Sequence, residues 1–245
     1  MCRSNASVTA GLLRCLALLT AIATGDSAAA AEPGSGDEKP DAAGWTSDFS
    51  SEKSTLVSTG RNPFFILEPG YQLILEGGNE RLVITVLNDT RTIDGVETRV
   101  VEERESKRGK VVEVSRNFFA ICQRTSSVYY FGEEVDDFKD GKVVGHHGAW
   151  LAGERGAQFG LMMPGLPLLH ARYYQELAPG AAMDRAEIVS LTAVLKTPAG
   201  VFERCLKSEE TTPLEPGERE AKHYAPGIGL IQDGAMKLVS HGPAK

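Results

Sequence analysis

The residues best suited to chemistry in this sequence are histidines and methionines in one glycine-rich stretch. His146 and His147 are adjacent, Met162 and Met163 follow, and His170 comes last. Imidazole and thioether ligands together suit copper outside the cytoplasm. One alternative is therefore a periplasmic copper-type site formed by the three histidines with the two methionines. The competing interpretation is that the histidines are exposed turn residues and the methionines pack the stretch onto the core.

Aromatic side chains indicate a second possibility, which is binding of an apolar ligand. They are numerous for one β-rich domain, and in an open barrel some would line a concave face and bind an apolar or amphipathic ligand. In a small closed barrel the same side chains would fill the interior. The residues predicted to bind a ligand are Trp150, Met162, Met163, Tyr173 and Tyr174.

Catalytic patterns are weaker. No serine lies in a Gly-x-Ser-x-Gly turn, and Cys122 has no nucleophile motif around it. The acids between Glu133 and Asp140 lack the Asp-x-Asp-x-Asp-Gly spacing of a calcium loop. A hydrolase stays open as a further alternative, which a buried polar cluster with shifted pKa values would favour. No catalytic residue and no cofactor is predicted.

The elements that must position these groups are strands. Residues that favour strands alternate between turn signals about every 10 to 15 residues, which is typical of an antiparallel all-β meander. Asp94-Gly95, Asp140-Gly141 and Asp233-Gly234 predict hairpin turns. We expect a half-barrel or barrel of about 9 to 11 strands, with a long Gly/Pro-rich loop over 145–185 and at most short helices.

The N-terminal region predicts export. Residues 1–31 combine Arg3 and Arg14, a short apolar run and a closing series of small residues, which is typical of a cleavable signal peptide. Residues 32–61 are polar and predict a disordered spacer, and 62–245 form a single β-rich globular domain. The expected location is the periplasm or the extracellular space.

The net charge and the hydropathy pattern limit the classes of partner that this protein can have. The net charge of −7 argues against nucleic acid as a partner, and the apolar run of the signal is too short to span a bilayer stably. A small apolar ligand or an envelope protein is the expected partner, and the oligomeric state stays open. Cys122 and Cys205 remain after cleavage of the signal, and they could form one disulfide or remain two buried thiols.

Several motifs carry a resemblance. Tyr-Tyr-Gln-Glu at 173–176, Asp-Arg-Ala-Glu at 184–187, Thr-Pro-Ala-Gly-Val-Phe at 197–202 and Tyr-Ala-Pro-Gly-Ile-Gly-Leu at 224–230 resemble a widespread group of uncharacterised secreted bacterial β-rich proteins. The last two turns are similar to those of curved half-barrels that carry lipoproteins or lipids. The resemblance implies a secreted β-rich fold and no particular activity. The leading hypothesis is an exported, non-enzymatic domain that binds a ligand or envelope partner on its concave face.

Overall fold

A computed structural model describes residues 44–244, and these form an all-β fold with almost no helix. One 3-10 helix, Ser50–Thr55, precedes 18 strands. The strands are β1 Leu56–Val57, β2 Gly60–Asn62, β3 Phe65–Leu67, β4 Tyr71–Gly77, β5 Glu80–Ile93, β6 Val96–Lys107, β7 Lys110–Cys122, β8 Val128–Lys139, β9 Lys142–Gly145, β10 Trp150–Leu151, β11 Gln158–Met163, β12 Arg172–Tyr174, β13 Glu176–Leu177, β14 Arg185–Thr197, β15 Gly200–Thr211, β16 Glu220–Ala225, β17 Gly229–Asp233 and β18 Met236–Pro243. The predicted signal peptide, the first twelve residues of the predicted spacer and Lys245 lie outside the described residues.

One antiparallel sheet dominates the fold and is nearly closed into a barrel, as the alternation predicted. Its continuous path has 13 strands in the order β12-β14-β15-β16-β17-β18-β4-β5-β6-β7-β8-β11-β13. Strands β1, β9 and β10 pair beside this path, and β2 and β3 form a separate hairpin. In the described part of the chain, no helix has the length and hydropathy of a membrane span.

The barrel has a single seam, where one extended segment serves both edges of the sheet. The two ends of the path, β12 and β13, are consecutive in sequence and separated only by Gln175. β12 pairs with β14, whereas β13 pairs with β11. Gly160 of β11 lies so close to this segment that an added Cβ would collide with the backbone oxygens of Tyr174 and Gln175.

Two-residue turns join the long strands, since two adjacent residues with positive φ give the backbone twist that a hairpin needs. Asp94 and Gly95 have φ of 46° and 77°, and Asp140 and Gly141 have 51° and 77°. Both turns were predicted from their Asp-Gly pairs. The last hairpin differs by one residue: Asp233 is the final residue of β17, where it pairs with Met236 and is fully buried.

The segment 44–61, within the predicted spacer, lies against the barrel. Phe49 is 8% exposed and packs on Tyr129, with ring centroids 5.8 Å apart. Strand β1 pairs with the end of β7, which adds backbone hydrogen bonds to the apolar contact. The ordered domain therefore includes apolar residues that the polar composition of this segment had obscured.

The stretch 145–185 forms a long connection between β9 and β14 and contains the short strands β10 to β13. Trp150 and Leu151 of β10 pair with β8, and β11 pairs with residues nearer the start of the same strand. The glycine-rich stretch therefore adds edge strands and the seam to the barrel.

Candidate functional site

Acidic side chains face the barrel interior at positions that the strand alternation sets. In β6, Val101, Glu103 and Glu105 are buried, whereas Glu102 and Arg104 between them are more exposed. Successive side chains of a strand point to opposite faces, so the buried set faces inward. One strand of this barrel therefore sends two carboxyl groups into the space that a core would normally fill with apolar groups.

Acids from several strands interact with one another, and some of them with one buried lysine; we call this group the carboxylate cluster. Its members are Glu103, Glu133, Glu176, Asp184, Glu210, Asp233 and Lys222. Lys222 Nζ lies 2.8 Å from Glu210 Oε2, and the lysine side chain is 1% exposed. A buried ion pair requires such short geometry because both charges have lost their hydration.

The seam contributes the next polar contacts to Glu210. Gln175, between β12 and β13, donates from Nε2 to Glu210 Oε1 at 3.3 Å. Ser208 donates from Oγ to the same oxygen, also at 3.3 Å. Gln175 therefore lies at the seam and also contacts the cluster.

A second group of hydrogen bonds lies on the β7–β8 side of the interior. Tyr130 donates its hydroxyl hydrogen to Asn117 Oδ1 at 2.6 Å, and Asn117 Nδ2 donates to Ser115 Oγ at 3.1 Å. Glu176 Oε1 accepts a hydrogen bond from the backbone N–H of Asp184 at 3.1 Å. These bonds fix side-chain orientations in a region that water does not reach.

Burial shifts the acids toward their neutral forms. It raises the pKa of Glu103 to about 8, an effect that the Lys222 charge partly opposes and the Asp233 charge reinforces. Burial, followed by the Glu210 charge, raises the pKa of Asp184 to about 7. A carboxyl group in a low-dielectric interior holds its proton because the anion would lose its hydration.

The remaining members follow the same physics. Burial raises the pKa of Glu133, Glu176 and Asp233 well above the ordinary range. Lys222 stays charged: burial lowers its pKa, but the interactions with Asp233 and Glu210 more than compensate and raise it well above its usual value. At neutral pH several cluster acids are therefore protonated, and a protonated carboxyl group can donate as well as accept a hydrogen bond.

Next to the cluster lies an apolar pocket with about 420 Å³ of space counted to its open mouth. Its walls come from the β2–β3 hairpin, the inner faces of β4, β5 and β6, and the β16–β17 turn. The lining residues are Phe65, Ile66, Tyr71, Leu73, Ile84, Val86, Val101, Glu103, Tyr224, Gly229 and Leu230.

Two hydrogen bonds to backbone carbonyl oxygens hold the pocket walls together. The Tyr71 hydroxyl donates to the carbonyl oxygen of Ile228 at 2.9 Å, and the Gly227 N–H donates to the carbonyl oxygen of Pro63 at 2.7 Å. Gly229 has a φ of 111°, a conformation that favours glycine, and its position for a Cβ lies 3.5 Å from the Leu73 side chain. The β16–β17 turn can therefore approach the β2–β3 hairpin closely enough to form a wall.

Glu103 and Tyr224 belong to both regions, because they line the pocket and interact with the cluster. Glu103 Oε1 and the Tyr224 hydroxyl are buried and have no hydrogen-bond partner in the described structure. A buried polar atom without a partner costs about 1 to 3 kcal/mol.

The residues predicted to bind a ligand lie elsewhere in the barrel. Trp150, Met162 and Met163 are 6%, 1% and 1% exposed and belong to the main hydrophobic core. Tyr173 and Tyr174 of β12 are 3% and 0% exposed. None of the five lines the pocket described above.

The two tyrosines lie at the seam and face different surroundings. Tyr173 belongs to the main hydrophobic core, and burial, followed by the Glu210 charge, raises the pKa of its hydroxyl. Tyr174 packs against Trp45 of the N-terminal segment, with ring centroids 6.3 Å apart. The guanidinium of Arg185 lies 4.5 Å from the Trp45 ring centroid and covers its face.

The histidines of the predicted metal site are exposed and contact acids near their own strands. The contacts are His146 Nδ1 to Asp136 Oδ1 at 3.2 Å, His147 Nδ1 to Asp137 Oδ2 at 2.6 Å, and His170 Nδ1 to Glu187 Oε1 at 3.3 Å. Met162 and Met163 are buried in the core, as the packing interpretation described. Over residues 44–244, no group of three His, Cys, Asp or Glu side chains has the arrangement to hold a metal ion.

Cys122 and Cys205 are free, buried thiols. Cys122 Sγ lies 3.2 Å from Glu52 Oε2 and 3.2 Å from Thr55 Oγ1, both on the N-terminal 3-10 helix. This cysteine therefore contributes to the attachment of the N-terminal segment to the barrel.

Sequence reasoning did not select the residues that define this site. Glu103 was one of many acids in strand-like runs, and Asp233 was assigned to a turn. The signal that could have found Glu103 is the pattern Val101-Glu102-Glu103-Arg104-Glu105, in which both faces of the strand carry charge. A strand with acids on both faces must bury some of them once the sheet closes.

In comparisons with protein-family models, curated proteins and solved structures, nothing matches this chain. The function is therefore inferred from the site itself.

Proposed function

We propose that this protein is an exported binding protein for a small, mainly apolar molecule that carries one polar group. The observation that carries the proposal is an apolar pocket next to a polar interior, with Glu103 and Tyr224 shared between the two. The walls would bind the apolar part, and the two shared residues would bind the polar group. Such a division of walls and anchoring groups is common in small-molecule sites.

Export is part of the proposal and depends on the N-terminal sequence. Residues 1–31 have the charge, apolar run and small-residue ending of a signal peptide. The barrel would then work in the periplasm or outside the cell, where small amphipathic molecules must be carried through water.

The test uses 1-octanol as a neutral probe and a variant that fills the pocket. Val86 is 4% exposed and lines the pocket, so Val86→Phe would occupy the space that the ligand needs. We expect octanol to bind the wild-type protein in titration calorimetry and not to bind Val86→Phe. The matched control is Val83→Phe on the same strand, because Val83 does not line the pocket.

Thermal unfolding supplies a second measurement that does not depend on the variant. A ligand that binds the folded state raises Tm with its concentration, by an amount set by its Kd. Octanol should therefore raise the Tm of the wild-type protein in a saturable way. Absence of both heat and a Tm shift with the wild type would overturn the proposed function.

A second candidate function is acid–base catalysis on a molecule held in the same pocket. The observation that favours it is that burial raises the pKa of Glu103 to about 8 at the pocket wall. An acid with a pKa near the working pH is suited to proton transfer. Release of p-nitrophenol from p-nitrophenyl octanoate by the wild type but not by Glu103→Gln would support this candidate, and equal rates would exclude Glu103 as its catalyst.

A further inference from the structure

We infer that the ligand of this pocket is a lipophilic primary amine, whose ammonium group binds Glu103 and the Tyr224 hydroxyl. The inference rests on the proposed function and names its ligand class. Its starting point is geometric: two residues that line the pocket each have a buried oxygen without a partner, Oε1 of Glu103 and the hydroxyl of Tyr224. Both can accept hydrogen bonds, and an ammonium group is a donor with three hydrogens.

The charges around Glu103 also favour a cation. Lys222, the cation of the cluster, is already held by Glu210 at 2.8 Å. The groups that face Glu103 from the neighbouring elements are Glu113 on β7, Tyr130 and Glu133 on β8, Lys222 and Tyr224 on β16, and Asp233 on β17. An ammonium ligand can form an ion pair with Glu103 once that acid ionises, whereas a carboxylate ligand would compete with Glu210 for Lys222.

The pocket walls define the rest of the ligand. Except for Glu103 and the hydroxyls of Tyr71 and Tyr224, the lining side chains are apolar. The Tyr71 hydroxyl already donates to Ile228, so it is engaged in the wall. A single cationic group on an unbranched or ring-shaped hydrocarbon therefore fits the site better than a molecule with several polar groups.

Amine binding must displace a proton. Glu103 is protonated at neutral pH because burial raises its pKa to about 8, whereas an aliphatic amine is already an ammonium ion. When the ammonium binds, the carboxyl group becomes a carboxylate and its proton goes to the solvent. Below about pH 8, binding therefore releases close to one proton per amine, and affinity rises with pH by about tenfold per unit.

The experiment compares three probes of one chain length: octylamine, 1-octanol and sodium octanoate. Titration calorimetry at pH 6.5 in two buffers of different ionisation enthalpy measures both affinity and proton release. At pH 8 we expect octylamine to bind about tenfold more tightly than octanol, since a charge-assisted hydrogen bond is stronger than a neutral one. Octanoate should bind more weakly than octanol, and octanol should release no proton.

Glu103→Gln provides the decisive variant, because it keeps the side-chain shape and removes the acid. We expect it to lose the preference for octylamine and the proton release while it still binds octanol. Glu102→Gln is the matched control on the same strand, where Glu102 faces away from the pocket and contacts Arg104 at 3.6 Å. This control should behave as the wild type.

The outcomes separate the two levels of the argument. If octanol binds and octylamine binds no better and releases no proton, the amine inference is overturned and the pocket proposal stands. If octanoate binds more tightly than octylamine, the charge argument is wrong. If none of the three probes binds the wild type, the proposed function fails and the inference fails with it.

Discussion

The two halves of the barrel interior are built from the same alternating strands but carry opposite chemistry. Strands β4 and β5 send Leu73, Leu75, Leu82 and Ile84 inward, all at most 8% exposed. Strands β15 to β17 bury Glu210, Lys222 and Asp233 at comparable depth, although charged groups lose far more hydration than leucines do.

The difference shows which half of the interior stabilises the fold and which half holds the ionisable groups. The apolar half gains free energy from removing hydrocarbon from water, by roughly 25 cal/mol per Å². The polar half gains little, since a buried ion pair with extra acids is often less stable than an apolar replacement. The carboxylate cluster therefore adds little stability to a fold that the apolar half holds together.

The largest expected effect is the pH dependence of stability. The folded state holds protons on Glu103, Asp184 and other cluster acids that the unfolded chain releases near pH 4.5, so raised pKa values favour the folded state at low pH. The free energy of unfolding should therefore be highest near pH 4.5 and fall as pH rises to 8. Glu103 alone would account for a loss on the order of 5 kcal/mol by linkage. Urea unfolding at pH 5, 6.5 and 8 measures this slope.

The control variant is Glu103→Gln. It should reduce the slope of the free energy of unfolding against pH by the contribution of one titrating proton, whereas Glu102→Gln should leave the slope unchanged. A stability that is constant or rises between pH 5 and 8 would contradict the burial of protonated acids.

The second effect is the loss of the cluster cation. Lys222→Met leaves Glu210 without its 2.8 Å partner and should lower the free energy of unfolding by about 3 to 5 kcal/mol at pH 7, because an uncompensated buried charge remains. Lys207→Met is the matched control: its ion pair with Glu209 spans 3.9 Å and is partly exposed, so we expect a change below about 1 kcal/mol. If chemical denaturation gave equal losses of unfolding free energy for the two variants, the buried ion pair of the cluster would be no more important for stability than the surface pair.

The third effect tests the apolar half. Leu75→Ala removes a fully buried side chain and should cost about 3 kcal/mol through lost transfer energy and a cavity. Because no titratable group is involved, the cost should be the same at pH 5 and pH 8. A cost that changes strongly with pH would mean that the two halves of the interior are coupled, contrary to the comparison drawn above.

Much of the fold followed from local signals. Asp94-Gly95 and Asp140-Gly141 form turns of the predicted kind because two adjacent positive φ angles are set by the turn residues themselves. The segment containing Trp45 and Phe49 was harder, since its polar composition predicts disorder while two aromatic side chains supply enough burial to dock it.

The site residues could not be selected in the same way. Trp150 and Tyr174 are large and apolar, which predicts either a cavity wall or a filled core equally well, and the structure buries both away from the pocket. The sequence could not decide whether Cys122 and Cys205 form a disulfide, because it does not give the distance between them. The structure shows both as free thiols.

By itself the sequence determined the all-β class and the hairpins with Asp-Gly turns between long strands, because alternation and turn chemistry act between neighbouring residues. The number of strands and their order in the sheet came from the structure. Only the tertiary structure decided that Glu103 faces inward and Glu102 outward, since the alternation is the same for either choice. It also brought Glu103 of β6 near Lys222 of β16, which four other strands separate along the sheet. Contact across a barrel interior depends on how the sheet curves and closes, and that is a property of all the strands together.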